Sequence, residues 1–140
     1  MSSDTKKLYF EPYARLLTML SEQLIKNEVV ALTEIVKNAY DADSPWVKIT
    51  FDNFDSNMVA AKESKIIIED AGCGMSESTL KNDFINPASA HKKIEKEAGK
   101  TTPLGRIYQG EKGIGRFSLF KLGKKITVIT KTKDDKKARR

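Results

Sequence analysis

The stretch Glu34-Ile35-Val36-Lys37-Asn38-Ala39-Tyr40-Asp41-Ala42 sets a carboxylate and a carboxamide four positions apart, with no helix breaker between them. On a helix, residues four apart share one face, so Glu34 and Asn38 point at the same neighbour. Two further segments follow in order, Asp70-Ala71-Gly72-Cys73-Gly74-Met75 and Gly110-Glu111-Lys112-Gly113-Ile114-Gly115-Arg116. Their glycines supply bare backbone where the chain must turn tightly or something must come close. A lone Gly-x-Gly says little. Three such segments in sequence, with apolar strand-like runs between them, describe a pocket.

The rest of the chain supplies the frame. From Tyr13 to Asn27, Leu16, Leu17, Leu20, Leu24 and Ile25 recur at spacings of three and four, which predicts an amphipathic helix. A second helix is expected from Glu28 to Ala42, with Val29, Leu32, Val36 and Ala39 as its packed stripe and Ser44-Pro45 as its stop. Trp46 to Phe51 and Lys65 to Glu69 read as strands, the second a continuous apolar run expected to be the more buried, with Asp52 to Glu63 as the loop between them. Ser76 to Phe84 reads as one or two helical turns capped by Ser76 or Ser78. From Ile85 to Tyr108 periodicity dissolves, as in a functional loop. Helical spacing returns from Gly113 to Leu122, Gly123 is the expected stop, and Lys125 to Thr132 alternates like a strand. The order predicts an α/β fold, a two-layer α/β sandwich with helices on one face of a mixed sheet.

Composition narrows the class. The chain has 140 residues and 39% hydrophobic content, which suits one domain spanning 1–140 with one core. Its net charge of +6 is uneven: residues 121–140 carry nine Lys or Arg against two Asp, a balance of +7, so residues 1–120 sum to −1. Lys131 to Arg140 reads as a solvated turn or frayed tail, and a nucleic-acid patch there is an alternative that nothing else in the sequence supports. Cys73 has no cysteine to pair with, and His91 alone cannot complete a zinc site. No apolar run approaches the roughly 20 residues that span a bilayer, and Met1 to Lys7 lacks a signal-peptide core, so a soluble protein of the reducing cytoplasm is expected.

The pattern Glu-x-x-x-Asn-Ala-x-Asp-Ala, then Asp-x-Gly-x-Gly-Met, then Gly-x-x-Gly-x-Gly resembles the GHKL ATPases, whose ATP site is the Bergerat fold. That superfamily includes DNA gyrase B subunits, heat-shock chaperones of the Hsp-ninety type, MutL proteins, microrchidia proteins and sensor histidine kinases. The resemblance covers roughly residues 13–132. The run Gly-Glu-Lys-Gly-Ile-Gly-Arg-Phe-Ser is most similar to the chaperone, microrchidia and related bacterial branch.

The resemblance implies a role for each box. Glu34 would be the general base that orients and deprotonates water for phosphoryl transfer, although an isolated Glu of this kind is usually a surface helix carboxylate. Asn38 matches the Mg²⁺ ligand, one hard oxygen completed by phosphate oxygens and water. Asp41 either supports the site through hydrogen bonds or helps to end the helix. Asp70 matches the carboxylate that accepts from the adenine amino group, and burial there would require a water when the pocket is empty; the plainer reading is an Asx turn before Gly72. Gly72 and Gly74 would admit the purine, with Met75 and Cys73 as wall or core. Gly110, Gly113 and Gly115 precede a helix whose free amides attract phosphate, with Lys112 and Arg116 adding charge, and Ile114 and Phe117 complete the nucleotide-contacting set of this box. The P-loop pattern is absent. Residues 76–112 match the ATP lid, with Asn82, Ser89, Lys92 and Lys93 as candidates to close on the ribose or phosphates, and His91 as an exposed lid residue.

The implied function is ATP binding with Mg²⁺-dependent hydrolysis, a switch that drives homodimerisation through the N-terminal segment and moves further domains. Two departures qualify it. A Gly-Thr-containing strand after the third box has no counterpart before Arg140, so the chain is expected to be a fragment, and no following domain is available to lend a phosphate-contacting Lys. Two alternatives differ in chemistry: a nucleotide-binding regulatory module that does not hydrolyse, and a histidine kinase, which needs a phosphoacceptor His that is missing before Glu34.

Overall fold

The computed structural model describes residues 25–84, 99–110 and 115–140, with only the backbone of Asp83, Arg116 and Phe117. The expected first helix lies mostly outside these residues, and its last positions, 25–27, are not helical. The described residues run through helix α1 (Glu28–Asp41), strands β1 (Val47–Phe54) and β2 (Ala60–Asp70), and a helical turn α2 (Glu77–Thr79) that loosens into a π turn at Leu80–Phe84. The third box ends in a 3-10 turn at Gly115–Ser118, and the short helix α3 (Leu119–Leu122) follows.

Local chemistry fixes both ends of α1. Asn27 is extended, and its side chain accepts from the Val30 amide at 3.0 Å, satisfying one of the donors that a helix start leaves open. At the other end Asp43 is left-handed, with φ of 60°, so that its amide bonds Tyr40 O and the Ser44 amide bonds Ala39 O, both at 3.0 Å. This is the double bond of a Schellman cap with aspartate in the place glycine usually takes. Pro45 follows a helix that has already stopped.

The packed stripe of α1 differs from the expected one. Ala31 and Ala39 are buried, whereas Val29 is 71% and Val36 39% exposed. The small alanines permit close approach, and α1 packs on the Gly115–Ser118 turn and α3. Glu34 and Asn38, both half-buried, lie near the packed side.

Strands β1 and β2 form a two-stranded antiparallel sheet, in register from Val47 opposite Asp70 to Asp52 opposite Lys65, with a bulge before Phe54. The expected loop from Asp52 to Glu63 shrinks to a turn: the Asp55 carboxylate accepts from the amides of Asn57 and Val59, both at 2.8 Å, and both strands extend toward it. Left-handed Asn53 helps form the bulge. Period two also replaces the expected buried run, since Ile66 and Ile68 are half-buried while Ile67 is 41% exposed. Helices and sheet in this order make the chain α/β; the parallel pairing of a mixed sheet is not among the described strands.

Ser76 caps α2 by accepting from the Thr79 amide at 3.1 Å. Gly123 ends α3 in an extended conformation, as expected of a stop though not a left-handed one. The segment from Lys125 to Thr132 is not a strand. No neighbour among the described residues offers it a ladder, and only Thr130 pairs, in an isolated bridge with Arg139. Residues 130–139 instead fold back on themselves, as the turn reading expected. Asp135 accepts from the amide and hydroxyl of Thr132, at 2.9 and 2.7 Å, and pairs with Arg139.

Two stability predictions follow from this turn and its contact with the second box. The Arg139 guanidinium, and then Thr132, hold the Asp135 carboxyl down at about 2. Its contribution is therefore fully present above pH ~4 and is lost as pH falls toward 2. Urea unfolding of Asp135→Asn should show a lower midpoint than the native chain at pH 7, the gap narrowing steadily as pH falls from about 4 through 2. Gly74 has φ of 69°, and a Cβ there would lie 2.0 Å from Lys131 O, while Gly105, with φ of 79°, faces open space. Gly105→Ala should cost about 1 kcal/mol and Gly74→Ala clearly more; equal midpoints for the two variants would contradict the contact.

Candidate functional site

The C-terminal half of α1 is where the three boxes meet. Glu34 lies on α1 with its side chain 24% exposed, and its Oε1 accepts from Lys37 Nζ at 2.8 Å. The other oxygen faces the third box: a Cβ on Gly115 would lie 2.8 Å from Glu34 Oε2 and 3.4 Å from its Cβ. Asn38, one turn further along, is half-buried. A carboxylate with one oxygen held and a carboxamide beside it can orient water and offer a hard oxygen to a cation such as Mg²⁺. Among the described residues no group of three His, Cys, Asp or Glu gathers. One amide oxygen, such as that of Asn38, fits a mostly hydrated Mg²⁺ carried by phosphates.

The second box docks on the end of the same helix. The Cys73 amide bonds Ala42 O at 2.8 Å, and a Cβ on Gly72 would meet Ala42 Cβ at 2.7 Å and Ala42 O at 2.8 Å. Ser44, buried, donates to Trp46 O at 2.6 Å and accepts from the Ala71 amide at 2.8 Å, tying the start of β1 to the end of β2. Asp70 departs from the expected buried carboxylate. It is exposed at the last position of β2, and its Oδ1 accepts from the Gly72 amide at 2.8 Å, the Asx turn. The strand ends at the surface, which leaves this carboxylate in reach of solvent.

Gly74 and Met75 are engaged by the C-terminal turn. Gly74 presses on Lys131, the Met75 amide donates to Thr130 Oγ1 at 2.8 Å, and Met75 O accepts from Arg139 at 3.3 Å. Cys73 is exposed and so is not core. Asn82 is exposed on the π turn. Of the remaining candidates, Ser89, His91, Lys92, Lys93, Lys112, Gly113 and Ile114 lie outside the described residues, as do the side chains of Arg116 and Phe117.

Asp41 is brought to the third box from the helix. Its carboxylate accepts from the amides of Gln109 at 2.7 Å and Gly110 at 3.0 Å. Sequence reasoning missed the neighbours that join it. Asp43 accepts from the Thr102 hydroxyl and, at 3.2 Å, from the Leu104 amide. Arg106 donates to Tyr40 O at 3.2 Å and Ser44 O at 2.9 Å, and stacks 4.8 Å from the Tyr40 ring centroid. Part of the expected aperiodic loop is thus a hydrogen-bonded turn, bridged from Thr101 to Ile107. The left-handed Gly105 in Thr-Thr-Pro-Leu-Gly-Arg was the signal available for that turn.

The chain is similar to known proteins. The family described as histidine kinase-, DNA gyrase B- and HSP90-like ATPase matches residues 26–140, and the chain belongs to it. The chaperone protein HtpG of Clostridium acetobutylicum is 31% identical over 137 residues, covering 89% of this chain and 21% of that protein. A putative type II restriction enzyme, HgiDII of Herpetosiphon aurantiacus, is 34% identical over 104 residues, or 74% of this chain and 15% of that protein. HtpG of Bacillus velezensis is 27% identical over 136 residues, 90% and 22% respectively. The chain spans about a fifth of the length of its HtpG relatives. No solved structure matches it. No helix among the described residues is long and apolar enough to cross a membrane.

The Gly115 contact makes a prediction that needs no ligand. Because a new Cβ would meet the end of a flexible side chain, Gly115→Ala should change stability by less than about 1 kcal/mol while displacing the Glu34 carboxylate. Carbon-13 NMR of the Glu34 carboxyl checks it: the resonance should move in the variant, and an unmoved resonance would contradict the packing.

Proposed function

We propose that this domain binds ATP with Mg²⁺ and hydrolyses it, the nucleotide cycle acting as a switch for homodimerisation and for the movement of further domains. The observation that carries this reading is the closeness of Glu34 to Gly115, which brings a carboxylate from the first box against the backbone of the third. Family membership supports ATP as the substrate class. In this reading residues 1–140 act as one nucleotide-binding domain, 76–112 serve as its lid, and the exposed Cys73 thiol suits the reducing cytoplasm.

The chemistry follows from the residues. Glu34 orients a water toward the terminal phosphorus and takes its proton as the P–O bond to water forms and the bond to the ADP oxygen breaks. Lys37 holds Oε1, so Oε2 is the oxygen that faces the water. Asn38 offers its amide oxygen to Mg²⁺, which when bound neutralises charge on the phosphate oxygens. Asp70 accepts from the adenine amino group, with Gly72, Gly74 and Met75 on the base side and Asn82 closing on the ribose or phosphates. Backbone amides at Gly113, Ile114, Gly115 and Phe117, with the charges of Lys112 and Arg116, cradle the phosphates.

Isothermal titration and a phosphate-release assay, on this chain and on a longer form that includes the following domain, test the proposal. Glu34→Ala should keep ATP affinity within about threefold and lower hydrolysis by about 100-fold or more. Asp70→Asn should weaken ATP and ADP by about tenfold or more. Turnover unchanged in Glu34→Gln would instead identify a regulatory module that does not hydrolyse.

A further inference from the structure

Asp41 is buried, 8% exposed, at the end of α1. A carboxylate in that position is costly unless its oxygens are hydrogen-bonded. Its oxygens accept from two consecutive backbone amides 68 and 69 residues away, Gln109 on Oδ1 at 2.7 Å and Gly110 on Oδ2 at 3.0 Å. Gly110 opens the third box, and Gly115 near its end rests on Glu34. The box is thus held at both ends by one helix, at points about 10 Å apart along its axis.

The stem leading into the box is held by the same helix end. Thr102, 3% exposed, bonds Asp43, and Arg106 spans the carbonyls of Tyr40 and Ser44. The carboxylates of Asp41 and Asp43 therefore accept from four positions, Thr102, Leu104, Gln109 and Gly110, and Arg106 adds its own bonds to the helix end.

We infer that Asp41 is a positioning residue for the phosphate end of the site: it acts through the Gln109 and Gly110 amides and makes no contact with the nucleotide. This rests on the ATP reading above and refines it, because the nucleotide-binding role expected for Asp41 becomes an indirect one. Both oxygens face backbone N–H groups. Asp70, which would read the base, lies at the end of β2, outside this set of bonds. Loosening Asp41 should therefore weaken what the phosphates contribute to binding and spare what the adenosine contributes.

The test uses the whole chain and two ligands, adenosine and Mg²⁺–ATP, with native and Asp41→Asn protein. The carboxamide keeps one acceptor and turns a donor toward the second amide. Without ligand, hydrogen exchange at the Gln109 and Gly110 amides should accelerate about tenfold or more. By calorimetry the ATP dissociation constant should rise about tenfold, with adenosine within twofold. Thr102→Val, which removes one hydroxyl from the same anchor, should show the selective loss in smaller degree and serves if Asp41→Asn does not fold. Equal losses for ATP and adenosine in a folded variant, or unchanged ATP affinity, would overturn the inference, as would unchanged exchange at both amides. A native chain that binds neither ligand would overturn the ATP reading itself, while the exchange experiment still judges the Asp41 clamp independently.

Discussion

The second and third boxes each press on α1 or its end through a glycine. A Cβ on Gly72 would press on Ala42 at 2.7 Å, and one on Gly115 would press on the Glu34 carboxylate at 2.8 Å. Contacts this short are closed to any other residue unless something moves. The helix is therefore the common support of the site: the second box lies on its last residues, and the third lies over Glu34. Because the Schellman cap at Asp43 ends the helix where β1 must begin, the same few residues also place Ser44 between the strands.

Charge at this helix end works against the simplest expectation. The C-terminus of a helix carries partial negative charge and favours cations, yet Asp41 and Asp43 stand there. Each carboxylate is matched to donors from residues 102–110, and the Arg106 guanidinium supplies the positive charge directly on the terminal carbonyls. The arrangement trades local helix stability for a long-range connection. It is the kind of local conflict that marks a functional region.

How much of this was readable from the residues depended on range. The far end of α1 was legible to within a turn because Ser44-Pro45 bars further helix, although left-handed Asp43 sets the cap itself. Asn27, the last residue of the earlier expected helix, is the cap at its start. The pairing of Glu34 with Asn38 on one side of the helix needed only its period. The hairpin was half-legible: apolar residues at 47–51 and 66–68 showed the strands, but the stretch from 53 to 63 is solvated on both faces, so no alternation revealed that the ladder continues to a turn at Asp55. Lys125 to Thr132 failed for the opposite reason. Its alternation suits a strand, but a strand exists only beside another. Asp41 could not be assigned from sequence because its partners are distant backbone amides, which carry no side-chain signature. Asp70 reads first as the adenine acceptor, and the structure holds the Asx turn that was its plainer reading.

The central claim is that one nucleotide is bound where the three boxes meet on α1. Nitrogen-15 NMR of this chain, titrated with Mg²⁺–ADP, tests it most directly. The account predicts that the largest shift changes fall on Glu34, Asn38, Gly72 and Gly115, with the hairpin turn at 55–59 unmoved. Shifts confined to the hairpin turn or to residues 130–140, or no shifts from a folded sample, would contradict it.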